Sequence, residues 1–241
     1  MKRAFSLVEL VVVLAVIAVV THIAVHELSQ VREARMAAAA DRQLEALRDA
    51  VWSSGADGAP AGFLADVGRL PRRLDELWRK PEDVALFTVA EAPDGVRVPT
   101  GWRGPYLRLP FSRTRLLDPW GNDFGEVTNA AGFAVSAYHN GSSGQARTRS
   151  AELPLVPGGD GTAELTLYFD AAIRSCTWYG PDGAGGVTNG TAEAAGGQET
   201  FRLTGLTPGL RVIVVSNGTG RIVRAIAVKP GVDAQRIGVS E

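Results

Sequence analysis

Residues 1–25 read MKRAFSLVELVVVLAVIAVVTHIAV, and this stretch decides the architecture. Leu10–Val20 is an unbroken run of eleven apolar residues, and across residues 5–25 only Ser6, Glu9, Thr21 and His22 are not apolar. As a helix rising ~1.5 Å per residue, those 21 residues reach roughly 30 Å, the thickness of a bilayer's hydrocarbon core. Lys2 and Arg3 precede the run, which by the positive-inside rule keeps the N-terminus cytoplasmic and sends the remainder across. A cleavable secretory signal also has a basic start and an apolar stretch. Two features count against it: the run ends Ala24-Val25-His26-Glu27 without an A-x-A-like site, and Glu9 puts a charge inside the apolar segment.

An ionised carboxylate within a bilayer costs about 2.5–3.5 kcal/mol or more, so Glu9 calls for a partner or a way out of the lipid. Two readings stand. The carboxylate either snorkels or takes up a proton near the membrane surface, or it meets a cation supplied by assembly. A cut before Phe5 would create an N-terminal ammonium close to the same depth, available to the Glu9 of a neighbouring copy.

MKRAFSLVELVVVLAVIAVV resembles the N-terminal cleavage and methylation segment of type IV prepilins and type II secretion pseudopilins. Their pattern is a short basic leader, a small residue, then Phe-Thr-Leu-hydrophobic-Glu and an apolar run. The resemblance implies cleavage between Ala4 and Phe5 by prepilin peptidase, N-methylation of Phe5, and assembly in which Glu9, the fifth mature residue, pairs with a neighbouring N-terminus. Ala4 stands where Gly is usual. His26 stands where many members carry a helix-kinking Pro, which predicts a straighter stalk.

Residues 27–54 continue without Gly or Pro, rich in Ala, Arg, Glu, Leu and Gln. Leu28 and Val31, then Leu44, Leu47 and Val51, recur at spacings of three and four, and the charges balance. The pattern predicts one helix over residues 5–54, roughly 75 Å long, its lower half in the membrane and its upper half packed on a soluble head. Pro71 predicts a short helix with Leu74, Leu77 and Trp78 on one face. Asp118-Pro119-Trp120-Gly121 is turn chemistry: the Asp bonds following backbone, Pro presets φ, and Gly admits positive φ. Residues 63–71 (FLADVGRLP), WRGPYL from Trp102 and DPWGN from Asp118 come in the order seen in major-pseudopilin-like heads, so the likeness runs to about Gly144. In that family an acidic loop beyond the DPWG hairpin binds calcium. The corresponding residues 136–145, SAYHNGSSGQ, hold no carboxylate, and calcium is not carried over.

Beyond Arg149 the composition shifts to short β-rich runs between Gly and Pro: residues 163–169, 173–179, 200–203, 210–216, 222–228 and 234–239. Six short strands suggest a small β-sandwich. FRLTGLTPGLRV, residues 201–212, resembles carboxypeptidase-regulatory-like (transthyretin-like) domains. Residues 180–197 contain seven glycines and read as a flexible or exposed loop.

The remaining features exclude more than they suggest. A net charge of −1 gives no polyanion-binding tail and no nucleic-acid partner. The single cysteine, Cys176, excludes an intrachain disulfide and reads as a buried apolar residue. His22 and His26 share a helix face but sit at the membrane interface without an evident third ligand. Trp102, Trp120 and Trp178 read as core or turn anchors, Gly183-Ala184-Gly185-Gly186 lacks the residues of a phosphate loop, and no nucleophile–base pair supports a hydrolase.

The sequence therefore predicts an α+β chain: leader 1–4, transmembrane and stalk helix 5–54, a small antiparallel-sheet pilin head 55–149, and an all-β sandwich 150–241. The implied role is a structural subunit of a type II secretion pseudopilus or type IV pilus-like filament, with no catalytic residues, metal or cofactor. A second reading is a minor pilin that acts as an adhesin or substrate-binding module through its C-terminal β-domain. Implied partners are prepilin peptidase, other pilin or pseudopilin subunits, an inner-membrane assembly platform and the lipid bilayer. The implied location is a single pass through the inner membrane, with the head periplasmic and part of the filament after assembly.

Overall fold

The computed structural model describes residues 7–53, 61–109, 114–129, 132–140, 146–154, 163–195, 197, 199–207, 209–218, 220–228 and 232–238. The chain is α+β. One long helix, α1 (Leu7–Trp52), leads into a mixed head and then into a β-rich region. The head holds α2 (Phe63–Val67), a 3₁₀ turn (Leu74–Leu77), the hairpin β1 (Thr88–Glu91) and β2 (Arg97–Thr100), and an antiparallel sheet of β3 (Gly125–Asn129), β4 (Gly132–Asn140) and β5 (Ala146–Pro154). The C-terminal strands are β6 (Ala163–Phe169), β7 (Ser175–Pro181), β8 (Val187–Thr191), β9 (Glu193–Ala194), β10 (Thr200–Leu206), β11 (Gly209–Ser216), β12 (Arg221–Val228) and β13 (Val232–Ile237). They form two four-stranded sheets, ordered β13-β6-β10-β9 and β12-β11-β7-β8. Every pairing within the two sheets is antiparallel except that of β13 with β6, which is parallel.

Helix α1 runs unbroken through His26 and has two regimes. Its first 25 or so residues are exposed throughout; Leu28, at 70% exposure, and Val31 do not touch the head. Burial begins at Ala40 and follows Leu44, Leu47, Ala50 and Val51, a stripe at helical spacing. The expectation that Leu28 and Val31 extend this stripe is thus corrected: among the described residues, the buried positions of the helix lie in its distal third. There the stripe joins Phe63, Val67, Leu74, Leu77, Val84, Phe124, Val135 and Ala137 in the head's core. The 3₁₀ turn buries Leu74 and Leu77 as expected, though over four residues rather than as an α-helix.

The sandwich core lies between the two sheets: Leu165, Leu167 and Phe169 from β6, Phe201 and Leu203 from β10, Cys176 and Trp178 from β7, and Ile213 and Val215 from β11. Alternation places Val212 and Val214 on the opposite face of β11, where they are also buried, with Tyr179 and the head's Ala92, Val96 and Val98. Residues 180–197 are not a free loop. Half of the stretch is the end of β7, β8 and β9, and β8 pairs with β7 from Thr177↔Thr191 to Pro181↔Val187. Cross-strand pairing, rather than the sequence's weak β-propensity, fixes this segment.

Candidate processing and assembly site

The N-terminal segment is the first place to look for function. Ala4 and Phe5 lie outside the described residues. Glu9 sits in the first turn of α1, exposed among Leu7, Val8, Leu10 and Val11. A carboxylate at a helix start is favoured by the helix dipole, so the position suits it whatever else it meets. From Leu7 the apolar side chains point outward all round the helix, and this is a helix long and apolar enough to cross a membrane. Thr21 donates its hydroxyl to the Ile17 carbonyl at 2.7 Å, which satisfies a polar group within the helix itself. Gln30 Nε2 lies 2.9 Å from His26 Nε2, and no cluster of three or more metal-ligating side chains occurs among the described residues.

In the head, Asp118-Pro119-Trp120-Gly121 forms a closed turn. Asp118, only 4% exposed, accepts the amides of Trp120 at 3.0 Å and Asn122 at 2.8 Å on Oδ1. Its carbonyl accepts the Gly121 amide at 3.0 Å, and Gly121 has φ +90, which a side chain would strain. The turn lays Trp120 against the head core, with Trp78, Trp102 and Leu116 also packed on it. Trp178 is buried in the sandwich core, so the three tryptophans Trp102, Trp120 and Trp178 do not form one surface.

Next to this turn, residues 101–107 wrap the 3₁₀ turn. Trp102 Nε1 donates to the Glu76 carbonyl at 2.9 Å, and the amides of Tyr106 and Leu107 share the Leu77 carbonyl at 2.7 and 3.2 Å. Here the structure shows a group that sequence reasoning missed. Asp66 of α2 is 3% exposed; its Oδ1 meets Arg103 Nη2 at 3.0 Å and its Oδ2 accepts the Tyr106 hydroxyl at 3.2 Å. Burial pushes its carboxyl up to about 6, against the opposing pull of Arg103 and Tyr106. Tyr106 is raised by the same burial. The signal was a lone acid inside Phe63-Leu64-Ala65-Asp66-Val67, a run otherwise apolar.

Arg69 is a second hub. It contacts Glu76 Oε2 at 2.8 Å and Asp83 Oδ1 at 3.2 Å, donates to the Gly183 carbonyl at 3.2 Å, and stands over the Phe63 ring at 5.5 Å. Cys176 is fully buried, its thiol pushed up to about 12. These groups hold the fold together.

In comparison with known proteins, residues 1–25 match the family described as "Prokaryotic N-terminal methylation motif". No curated protein and no solved structure matches the chain. The chain thus carries a prepilin-type methylation motif running into a membrane-length helix, which supports a pilin-like precursor processed by prepilin peptidase and anchored in a membrane.

Proposed function

We propose that the protein is a structural subunit of a type II secretion pseudopilus or type IV pilus-like filament. The observation that carries this reading is the methylation motif over residues 1–25 running directly into a 46-residue helix whose apolar part is exposed among the described residues. Prepilin peptidase removes residues 1–4, and Phe5 becomes the methylated N-terminus. The Glu9 carboxylate then meets the ammonium of an adjacent copy, which offsets a desolvation cost of about 2.5–3.5 kcal/mol or more. The exposed half of α1 packs in the filament core with other pilin or pseudopilin subunits. Before assembly it crosses the inner membrane once, with Lys2 and Arg3 cytoplasmic, the head periplasmic and the assembly platform as its partner. Residues 55–149 serve as the pilin head, 150–241 as an added domain, and the role is structural rather than enzymatic.

A second reading is a minor pilin in which the β-sandwich is an adhesin or substrate-binding module. It is favoured by the outward face of the β13-β6-β10-β9 sheet, where Tyr168 is 44% exposed and Arg202 pairs with Glu164.

Mass spectrometry of the protein from its native membrane tests the processing step. The expected mature chain starts at N-methylated Phe5; an intact Met1 or a cut after Ala24 refutes it. Glu9→Leu should leave membrane insertion intact and reduce co-assembly with other subunits, and unchanged co-assembly would end the carboxylate–ammonium pairing idea.

A further inference from the structure

The turn between β7 and β8, Pro181-Asp182-Gly183-Ala184-Gly185-Gly186, is shaped before it meets anything. Asp182 Oδ1 accepts the amides of Ala184 and Gly186, each at 2.8 Å, which closes the turn on its own carboxylate. The closed turn then spends its backbone groups on the head. The Gly183 amide donates to Val67 O at 2.9 Å, Ala184 O accepts the Ala85 amide at 2.8 Å, and Gly186 O accepts the Thr100 hydroxyl at 2.9 Å. Arg69 adds its bond to Gly183 O.

A second contact joins the head-facing side of the same sheet to the loop between β1 and β2. The Tyr179 hydroxyl bonds the Asp94 carboxylate, and Arg221 donates to Asp94 O at 2.8 Å. Between these two fastenings, Val212, Val214 and Tyr179 are buried against Ala92, Val96 and Val98. Backbone approaches backbone here: a Cβ on Gly209 would lie 2.6 Å from Ala65 Cα, and one on Gly185 would lie 2.6 Å from Ala85 Cβ. On the far side, α2 is tied to the end of α1, where the Gly62 amide donates to Ser53 O at 2.7 Å.

We propose that the head and the β-sandwich are one folding unit, clasped by the Asp182–Gly186 turn and the Asp94–Tyr179–Arg221 contact. The sandwich is then a fixed extension of the stalk rather than a tethered appendage. A strip of buried aliphatic side chains between them is a shared core, and separating the two would strand its apolar surface and the paired backbone groups in water or in vacancy. α2 is the connecting piece, sharing a core with α1 through Phe63 and Val67 and meeting the sandwich at Ala65 and Val67. A force or a partner acting on the sandwich therefore acts on α1 through α2. This inference does not depend on the filament reading.

Hydrogen exchange on the full chain in detergent micelles tests it. Ala65→Leu crowds the head side of the joint, and Tyr179→Phe removes one sandwich-side fastening. In a single unit, each variant lowers protection in the far region, β6 and β10 for Ala65→Leu and residues 40–52 for Tyr179→Phe. The loss there should match the loss near the substitution, on the order of tenfold for Ala65→Leu and less for Tyr179→Phe. Protection that falls only in the lobe carrying the substitution overturns the proposal. If Ala65→Leu does not fold, the Tyr179→Phe comparison decides alone.

Discussion

Arg69 offers the sharpest test of how the head is held. Its guanidinium is 17% exposed and its partner Glu76 11%, so this is a largely desolvated pair at 2.8 Å rather than a surface contact. Removing one member of such a pair costs about 3–5 kcal/mol, because the remaining charge stays buried without compensation. The contact with half-exposed Asp83 adds little, on the order of a few tenths. The 3.2 Å bond to Gly183 O adds about 1 kcal/mol. Arg69→Met should therefore lower stability by about 4 kcal/mol, while Arg69→Met with Glu76→Leu, which removes both charges, should recover to within about 1.5 kcal/mol of the original. Urea unfolding of residues 28–241, followed by tryptophan fluorescence and far-ultraviolet circular dichroism, measures both, since residues 7–27 are exposed throughout. A loss below about 1 kcal/mol for the single variant would refute the reasoning. So would a double variant as unstable as the sum of the two single ones.

Asp66 should give the head an unusual pH response. Its carboxyl is raised from 3.8 to about 6, so the folded state holds that proton more tightly than the unfolded chain does. The resulting contribution is fully present below about pH 3.8 and is lost as pH rises through about 6, on the order of 3 kcal/mol in all. The difference in stability between the original chain and Asp66→Asn, measured from pH 4 to 7.5, should follow that course; a flat difference would rule it out. Leu47→Ala, at 1% exposure on the buried stripe, should cost about 2–5 kcal/mol, whereas Val31→Ala at 45% exposure should stay within about 0.5 kcal/mol in the same unfolding assay. Cys176 should resist a thiol-reactive dye until the sandwich unfolds, and rapid labelling under native conditions would contradict its burial.

The sequence made some of this legible because single side chains or simple periods carried it. The uninterrupted apolar run gave the start of α1, and Leu44, Leu47 and Val51 gave its buried stripe. Asp118, Pro119 and Gly121 encode their turn locally, and the alternation of Ala163, Leu165, Leu167 and Phe169 is the inward face of β6. What stayed hidden depended on contacts distant in sequence. Leu28 and Val31 keep the helical spacing, but both are exposed, because helical spacing alone does not say how far along the helix the head packs. β8, Val-Thr-Asn-Gly-Thr, has no apolar alternation and exists because β7 supplies its hydrogen bonds. β5, Ala146–Pro154, passes through the point where the composition changes, since its pairing with β4 does not depend on apolar content. Asp66 and Arg69 were visible as residues, but their roles require partners that the chain brings together only on folding.

The bare length of α1 fixes a clearance. If the hydrocarbon core ends near Val25, the first residue sealed against the head, Ala40, stands about 22 Å further along the axis. A helix with its side chains is about 10–12 Å across. Among the apolar side chains half-burial starts at Met36, about 16 Å along, so the length between Val25 and the head is still more than one helix diameter.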